Sequence, residues 1–509
     1  MSDNLYQAFE ANFPHDRSQP AIELADGATW SYGDLETEVG RLARRLIDLG
    51  VQPGDRVAVQ VEKSPRALFL YLACFKAGAI YLPLNTAYKG GEIAYFLGDA
   101  EPAVFVCDPA REDELKPIAD KAGVAAVATL DAGGRGSLAD GLDGLQPLAE
   151  TVPRQADDIA AICYTSGTTG RSKGAMLTHR NLESNARTLH SYWGFQPGDV
   201  LLHMLPLFHV HGLFVASNTA LLNGSKMIFL PKFDAGEAIR LLPKATVMMG
   251  VPTFYVRLLE RDDFSAETCR NMRLFVAGSA PLQPETWRAF RERTGFEILE
   301  RYGMTEAGMI CSNPLNDERR PGTVGYPLPE IQVRVAKEDG TVLGTDEIGV
   351  LEIKGPNLFK GYWNKPDKTA EEFRPDGFFI TGDNAKIDAR GYVHIVGRAK
   401  DLIISGGYNV YPKEIELLID AMEGVKESAV FGVPHPDFGE AVTAMVVPEA
   451  GKPDALSEQG IVQAVKAELA NYKVPKRVFF TDALPRNTMG KVQKAQLRQD
   501  YEGTFQGAA

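Results

Sequence analysis

Asp158-Ile-Ala-Ala-Ile-Cys-Tyr-Thr165-Ser-Gly-Thr-Thr-Gly-Arg-Ser-Lys173-Gly174 is the stretch on which the reading of this chain turns. Its first seven residues are largely apolar and read as a buried strand. The segment that follows concentrates hydroxyls, glycines and two cations. Glycines let the backbone approach an anion closely, free N–H groups and Ser/Thr hydroxyls donate hydrogen bonds, and Arg171 and Lys173 supply charge. Thr165, Ser166, Gly167, Thr168, Thr169, Gly170 and Lys173 are therefore candidate phosphate ligands, with a triphosphate as the natural guest. The end of a strand is where α/β proteins bind such ligands. No Gly-Lys-Ser/Thr follows four residues after a glycine, which disfavours an ordinary Walker loop. A flexible Ser/Thr/Gly linker fits poorly, since linkers seldom carry paired cations behind a buried strand.

Outward from this loop the pattern is that of an α/β protein. Ser31 to Gly50 opens with a Ser-x-x-Asp cap and places Leu35, Val39, Leu42, Leu46 and Leu49 on one helical face. Arg56 to Val61 and Ala103 to Cys107 read as short strands around a helix near Ala67 to Ala77, the alternation of a doubly wound sheet. Asp131 to Gly144 reads as a surface loop. Downstream, Lys226 to Leu230, Thr246 to Gly250 and Arg273 to Ala277 are apolar runs suited to buried parallel strands. Beyond Gly340 shorter alternating segments, Gly349 to Lys354 and Gly391 to Val396, predict a β-rich antiparallel section. From Asp401 a small α+β unit is expected. The predicted organisation is an N-terminal domain over 1–397, a hinge at 398–401 and a C-terminal domain over 402–509.

At 509 residues the chain exceeds one ordinary core. Hydrophobic content of 44% with 24% charged residues fits a soluble enzyme and excludes a disordered chain. A net charge of -13 argues against nucleic acid or an anionic membrane as partner, so an anionic ligand must meet a local basic pocket. The five cysteines have no CxxC spacing, which argues against zinc and against a disulfide framework. With no basic-then-apolar leader and no membrane-length apolar run, a cytoplasmic protein is expected.

Four further segments join the phosphate loop: Glu300-Arg-Tyr-Gly-Met-Thr-Glu306, Phe378-Phe-Ile-Thr-Gly-Asp383, Gly397-Arg-Ala-Lys-Asp401 with Ser405-Gly-Gly-Tyr-Asn409, and Pro485-Arg-Asn-Thr-Met-Gly-Lys491. In this order they resemble the adenylate-forming family of acyl-CoA synthetases, adenylation domains and luciferases, over essentially the whole chain. The resemblance implies a large N-terminal domain of several subdomains and a small mobile C-terminal domain. It also implies that a carboxylate and ATP give an acyl-adenylate and pyrophosphate, and that coenzyme A then takes the acyl group and AMP leaves. Mg2+ is implied with Glu306 as its ligand, where a hard carboxylate oxygen suits the ion. Asp383 and Arg398 match the ribose-contacting pair, and Gly278, Ser279, Ala280, Glu300, Arg301, Tyr302, Gly303, Met304 and Thr305 match nucleotide-flanking turns. Lys491 matches the lysine that bridges carboxylate and α-phosphate, a compact charge suited to that task. Thr165 and His209 are carried over as further catalytic residues. Lys400 matches the hinge, and Gly406, Gly407 and Asn409 the side that forms the pantetheine tunnel after domain rotation.

The acid to be activated is read from Leu205 to Leu213 and from Met249 to Arg257. His209 and His211 match acyl-pocket positions. Arg257 introduces a charge that fatty acyl chains do not want, and a buried guanidinium there needs an anionic partner such as a second substrate carboxylate. The likeness is closer to the branch of the family that activates malonate and methylmalonate, whose carboxylate contacts match Arg257, Ser279 and Arg301, with Met309 lining the acyl site. The run Ala307-Gly-Met-Ile-Cys311 is less polar than is usual in that branch, which predicts a roomier or more apolar pocket. A short-chain monocarboxylate ligase, in which the arginines form internal ion pairs, is the alternative, and a stand-alone adenylation module is a third reading. The expected partners are a small dicarboxylate, ATP and CoA, in a monomer or weak homodimer. Lys491 is also a plausible target of a lysine acetyltransferase, which would remove its charge.

Overall fold

A computed structural model describes residues 3–165, 172–405, 408–435, 438–449, 456–469, 471–487 and 490–505. The chain divides into two compact units, residues 1–332 with 354–373, and residues 333–353 with 374–509. The β-rich section and the 398–401 segment thus group with the C-terminal unit, whereas the sequence reading placed the β-rich section with the N-terminal domain.

In the first unit the predicted amphipathic helix runs Tyr32–Asp48, with Ser31 and Asp34 forming a reciprocal capping box. Leu35, Val39, Leu42 and Leu46 are buried. Two large sheets carry the unit. In one, the strands Leu299–Met304, Leu274–Ala277, Val247–Gly250, Val200–His203, Lys226–Phe229 and Pro20–Leu24 are neighbours in that order and parallel. An antiparallel neighbour, Gly308–Ser312, follows Leu299–Met304 in a hairpin. In the other, Ile159–Thr165, Ile80–Pro83, Arg56–Gln60, Val104–Cys107 and Ala126–Thr129 are parallel. Here Lys173–Thr178 and then Gly361–Tyr362 extend the edge antiparallel. Buried aliphatic and aromatic clusters fill the space between each sheet and its helices. This is the doubly wound arrangement that the continuous apolar runs predict.

The phosphate loop follows a different local plan. Thr165 pairs with Lys173 across an antiparallel ladder, and the element that begins at Lys173 is the strand Lys173–Thr178 and not a helix.

In the second unit, Gly349–Lys354, Phe379–Ile387 and Val393–Arg398 pair antiparallel, as the alternating pattern predicts. The buried Glu352 carboxylate joins Arg334 at 2.8 Å and Arg374 at 2.7 Å, tying this sheet together. Farther on, Ile403–Ser405, Val425–His435 and Gly439–Pro448 form an antiparallel sheet with Arg477–Phe480 parallel at one side. The Pro412–Asp420 and Glu458–Glu468 helices bury Ile415, Ile419, Ile461 and Val465 in the core shared with this sheet. Among the described residues no helix is long and apolar enough to cross a membrane. All five cysteines are buried and unpaired.

Candidate active site

Two residues of the Gly90–Ala100 helix grip the two segments that flank the candidate phosphate loop. The Tyr164 hydroxyl donates to Asp99 Oδ2 at 2.6 Å, and Asp99 Oδ1 also pairs with Lys365 at 3.1 Å. Tyr95 donates to the Ser172 carbonyl at 2.6 Å. Both ends of the loop are thereby fixed, while Ser166, Gly167, Thr168, Thr169, Gly170 and Arg171 lie outside the described residues. Lys173 is largely buried; its ammonium pairs with Glu372 and lies 4.1 Å from the Tyr362 ring centroid.

Glu306 sits in the tight turn between Leu299–Met304 and Gly308–Ser312, with Thr305 and Ala307 beside it. The turn is closely built. A Cβ on Gly303 would meet the Gly308 carbonyl oxygen at 2.2 Å, so only glycine fits there. Asn185 accepts from the Met309 N–H at 3.1 Å and donates to its carbonyl at 3.0 Å. Asn357 donates to the Ala307 carbonyl at 2.6 Å. The buried Glu306 carboxylate has its Oε1 3.0 Å from the Tyr362 hydroxyl. Among the described residues no cluster of three His, Cys, Asp or Glu exists that could hold a metal alone. A single hard carboxylate suits Mg2+, which keeps waters and takes most of its other ligands from phosphates.

A third group gathers where the Leu274–Ala277 strand ends. Arg301 is 4% exposed, and its Nε and Nη2 have no hydrogen-bond partner. Loss of solvation pushes the guanidinium down to about 9, so it stays charged at neutral pH. Gly278 makes the space: a Cβ there would lie 2.2 Å from Arg301 Cζ. Ser279 follows with φ of 71°, a left-handed backbone that a serine adopts only under constraint. Its hydroxyl lies 3.2 Å from His211 Nδ1. His211 Nε2 is buried without a partner. Burial, and next the neighbouring Arg301 charge, hold His211 well below the usual imidazole range, so it is neutral. His211 begins a π-helical turn over His211–Ser217, a geometry that clusters at functional sites. His209 precedes it, accepting from the His211 N–H at 3.2 Å.

Other predicted positions distribute differently. Ala280 and Tyr302 are half-buried, Met304 and Thr305 border the Glu306 turn, and Glu300 accepts from the Leu282 N–H at 3.1 Å. Met309 is 2% exposed. Arg257 is corrected in one respect: it is exposed. The Pro252–Leu259 helix buries Tyr255 and Leu258, and Arg257 falls off that face. The buried cation of this region is Arg301.

In the second unit, Asp383 and Arg398 face each other across paired strands, with Arg398 Nε 2.8 Å from Asp383 Oδ1. The acid is 3% exposed and its arginine partly open. Lys400 is exposed in a short turn whose next residue, Asp401, pairs with Arg498 at 3.1 Å. Asn409 lies in the Tyr408–Val410 strand, and Gly406 and Gly407 lie outside the described residues. Lys491 is exposed beside a tight turn: the Asn487 N–H donates to its carbonyl at 2.9 Å, and its own N–H donates to Asn487 Oδ1 at 2.9 Å. Gly490 has φ of 75°, and Arg486 donates to its carbonyl at 2.5 Å.

Sequence reasoning missed Tyr95, Asp99, Asn185, Asn357, Tyr362 and Glu372. The Gly361-Tyr-Trp363 run offered a glycine and two aromatics as a signal, but nothing local to Glu372 marks it.

A family model for the AMP-binding enzyme matches residues 9–363, and one for the AMP-binding enzyme C-terminal domain matches 414–491. A malonate–CoA ligase of Arabidopsis thaliana is 34% identical, covering 99% of this chain and 90% of its own. A feruloyl-CoA synthase of Amycolatopsis is 35% identical, covering 93% and 94%. The crystal structure of ATP-bound MatB from Rhodopseudomonas palustris is 54% identical, with a TM-score of 0.97 over 99% of this chain and 100% of that one.

Proposed function

We propose that this chain, which belongs to the AMP-binding enzyme family, joins malonate to coenzyme A in an ATP-dependent reaction that passes through an acyl-adenylate. The observation that carries the choice of acid is Arg301. A buried guanidinium with two unpartnered nitrogens is costly unless an anion completes it. A carboxylate accepts two such hydrogen bonds at once. Ser279, with the neutral His211 at its hydroxyl, borders the same place. One carboxylate of a dicarboxylic acid would pair with Arg301 and leave the other to react. Methylmalonate carries the same two carboxylates and fits only if the wall near Met309 admits a methyl group, which the substrate panel below measures.

In the first half-reaction a carboxylate oxygen bonds to the α-phosphorus of ATP, the bond to the bridging oxygen of the β-phosphate breaks, and pyrophosphate leaves. The phosphate hairpin with Lys173 holds the polyphosphate. Glu306 is the residue proposed to hold Mg2+, which neutralises phosphate charge when bound. Asp383 and Arg398 are proposed for the ribose, and Lys491 for the charge that accumulates where carboxylate and α-phosphate meet. In the second half-reaction the CoA sulfur bonds to the acyl carbon, the thiol proton leaves, and AMP departs with the oxygen it gained. Residues 398–401 are proposed as the hinge, with Gly406 and Gly407 serving the thioester step. Lys491 is the residue proposed as the target of an acetyltransferase, whose product would lack the charge.

Specificity constants for malonate, methylmalonate, acetate and butyrate, measured with free CoA on the purified protein, test the reading. Malonate is expected highest, and Arg301→Ala should remove that preference. Butyrate highest in the wild type would overturn it and restore the monocarboxylate alternative.

A further inference from the structure

We infer that Tyr362 and Glu372 are positioning residues that join the metal-binding and phosphate-binding groups into one network. The inference rests on the assignment of Glu306 to the metal and Lys173 to phosphate, and adds two residues that contact neither ligand in that assignment.

The Tyr362 hydroxyl lies 3.0 Å from Glu306 Oε1 and 2.6 Å from Glu372 Oε2. A hydroxyl has one proton, so it donates to one carboxylate at a time, and the shorter contact places that proton toward Glu372. The second oxygen of Glu372, Oε1, pairs with the Lys173 ammonium. The same ammonium lies 4.1 Å from the Tyr362 ring centroid. Lys173, Glu372, Tyr362 and Glu306 therefore form a continuous chain from the foot of the phosphate hairpin to the proposed metal carboxylate.

Every link is oriented by a neighbour. Tyr362 is fixed by its place in the Gly361–Tyr362 strand, which pairs with Lys173–Thr178. Thr369 Oγ1 accepts from the Tyr362 N–H at 2.9 Å, and Phe359 packs against its ring with centroids 4.8 Å apart. Glu372 takes one of the three Lys173 N–H donors and leaves two for phosphate oxygens. Turned to either acid, the one Tyr362 hydroxyl proton serves the Glu306 and Glu372 carboxylates in turn. The ring holds Lys173 and the hydroxyl braces both acids, so loss of either Tyr362 or Glu372 loosens both ends.

The test uses the full chain as wild type, Tyr362→Phe, Glu372→Gln and the double variant. Calorimetry measures binding of a non-hydrolysable ATP analogue at fixed Mg2+, and the Mg2+ needed for half-maximal binding at fixed analogue; malonate KM is followed separately in the CoA assay. Each single variant is expected to weaken analogue binding and raise the Mg2+ requirement about tenfold, the scale of one hydrogen bond to a charged group. The double variant should be no more than about threefold worse than the worse single one, because residues in one network do not act additively. Malonate KM should stay within about twofold, since sites without shared partners are independent. Tighter analogue binding by Glu372→Gln would mean that Glu372 competes with phosphate for Lys173, and would overturn the inference. Multiplicative losses in the double variant, or a fall in melting temperature with binding unchanged, would overturn it too. Failure of wild-type malonate turnover would instead count against the proposed substrate, and the calorimetric result would stand apart from it.

Discussion

Replacing Gly278 with alanine probes acid recognition without touching a charged group. The added Cβ would lie 2.2 Å from Arg301 Cζ, 2.3 Å from Nη1 and 2.5 Å from Nε. Carbon atoms at rest are about 3.5 Å apart, so the guanidinium must retreat by more than ~1 Å. It has little room to do so, because Arg301 is buried and Gly278 itself hydrogen-bonds to the Gly250 carbonyl at 3.2 Å. A misplacement of ~1 Å in a positioning group costs roughly 10²-fold in rate. The malonate specificity constant of Gly278→Ala should therefore fall about a hundredfold. That for acetate should change far less, because acetate has no second carboxylate to place. Steady-state kinetics on wild type, Gly278→Ala, Arg301→Ala and the double variant separates the causes. If the damage runs through Arg301, the double variant resembles Arg301→Ala alone. Equal losses for malonate and acetate, or multiplicative losses in the double variant, would refute the reasoning and move the effect to the nucleotide side of this turn.

Lys491→Ala should lower adenylation by about two orders of magnitude or more, as for one preorganised charge. Thioester formation from supplied acyl-adenylate should survive, and pyrophosphate release against CoA consumption measures the split. Glu352→Ala removes the shared partner of Arg334 and Arg374 and should destabilise the second unit by roughly 3–5 kcal/mol, read in urea unfolding followed on that unit. Burial, followed by the Arg154 charge, lowers His179 from 6.5 to about 4, and its Nδ1 accepts from the Leu5 N–H at 3.1 Å. The unfolded chain then binds the extra proton between those values, so stability falls as pH drops from 6.5 towards 4, by up to about 3 kcal/mol. His179→Gln should flatten that part of the stability–pH curve.

The legible parts of the site are those written in contiguous backbone. The Glu306 turn and Gly490 before Lys491 each need glycines at set places, and glycine is visible in a sequence. Burial of single charged side chains is less visible. The expectation of a buried Arg257 failed on helical phase: Tyr255 and Leu258, three apart, mark the buried face of Pro252–Leu259, and residue 257 lies to one side. Arg301, inside a recognised motif, was placed beside the substrate for its neighbours, yet its lack of an internal partner depends on strands distant in sequence. Tyr362 and Glu372 reach Glu306 and Lys173 across 56 and 199 positions, and no local spacing predicts such contacts. The grouping of 333–353 with 374–509 was hidden for the same reason, because strand pairing overrides chain order.

The proposed acyl site at Arg301 would explain how one scaffold discriminates among acids. Fold alone does not choose a substrate. The choice lies in the charge that the fold leaves uncompensated. Arg301 keeps its charge despite burial, while His211, under the same burial and the Arg301 field, gives up its proton. This cluster therefore offers one cation and a neutral ring, a match for one carboxylate. An alkyl acid entering here leaves the guanidinium desolvated and unpaired. Sites built to hydrogen-bond a substrate group reject analogues lacking it by roughly 10⁴–10⁵-fold, far more than an apolar pocket gains from a missing methylene. The strained Ser279 and the absent side chain at Gly278 are thus two faces of one arrangement: each gives up conformational ease so that a buried cation can stand where only an anion will satisfy it.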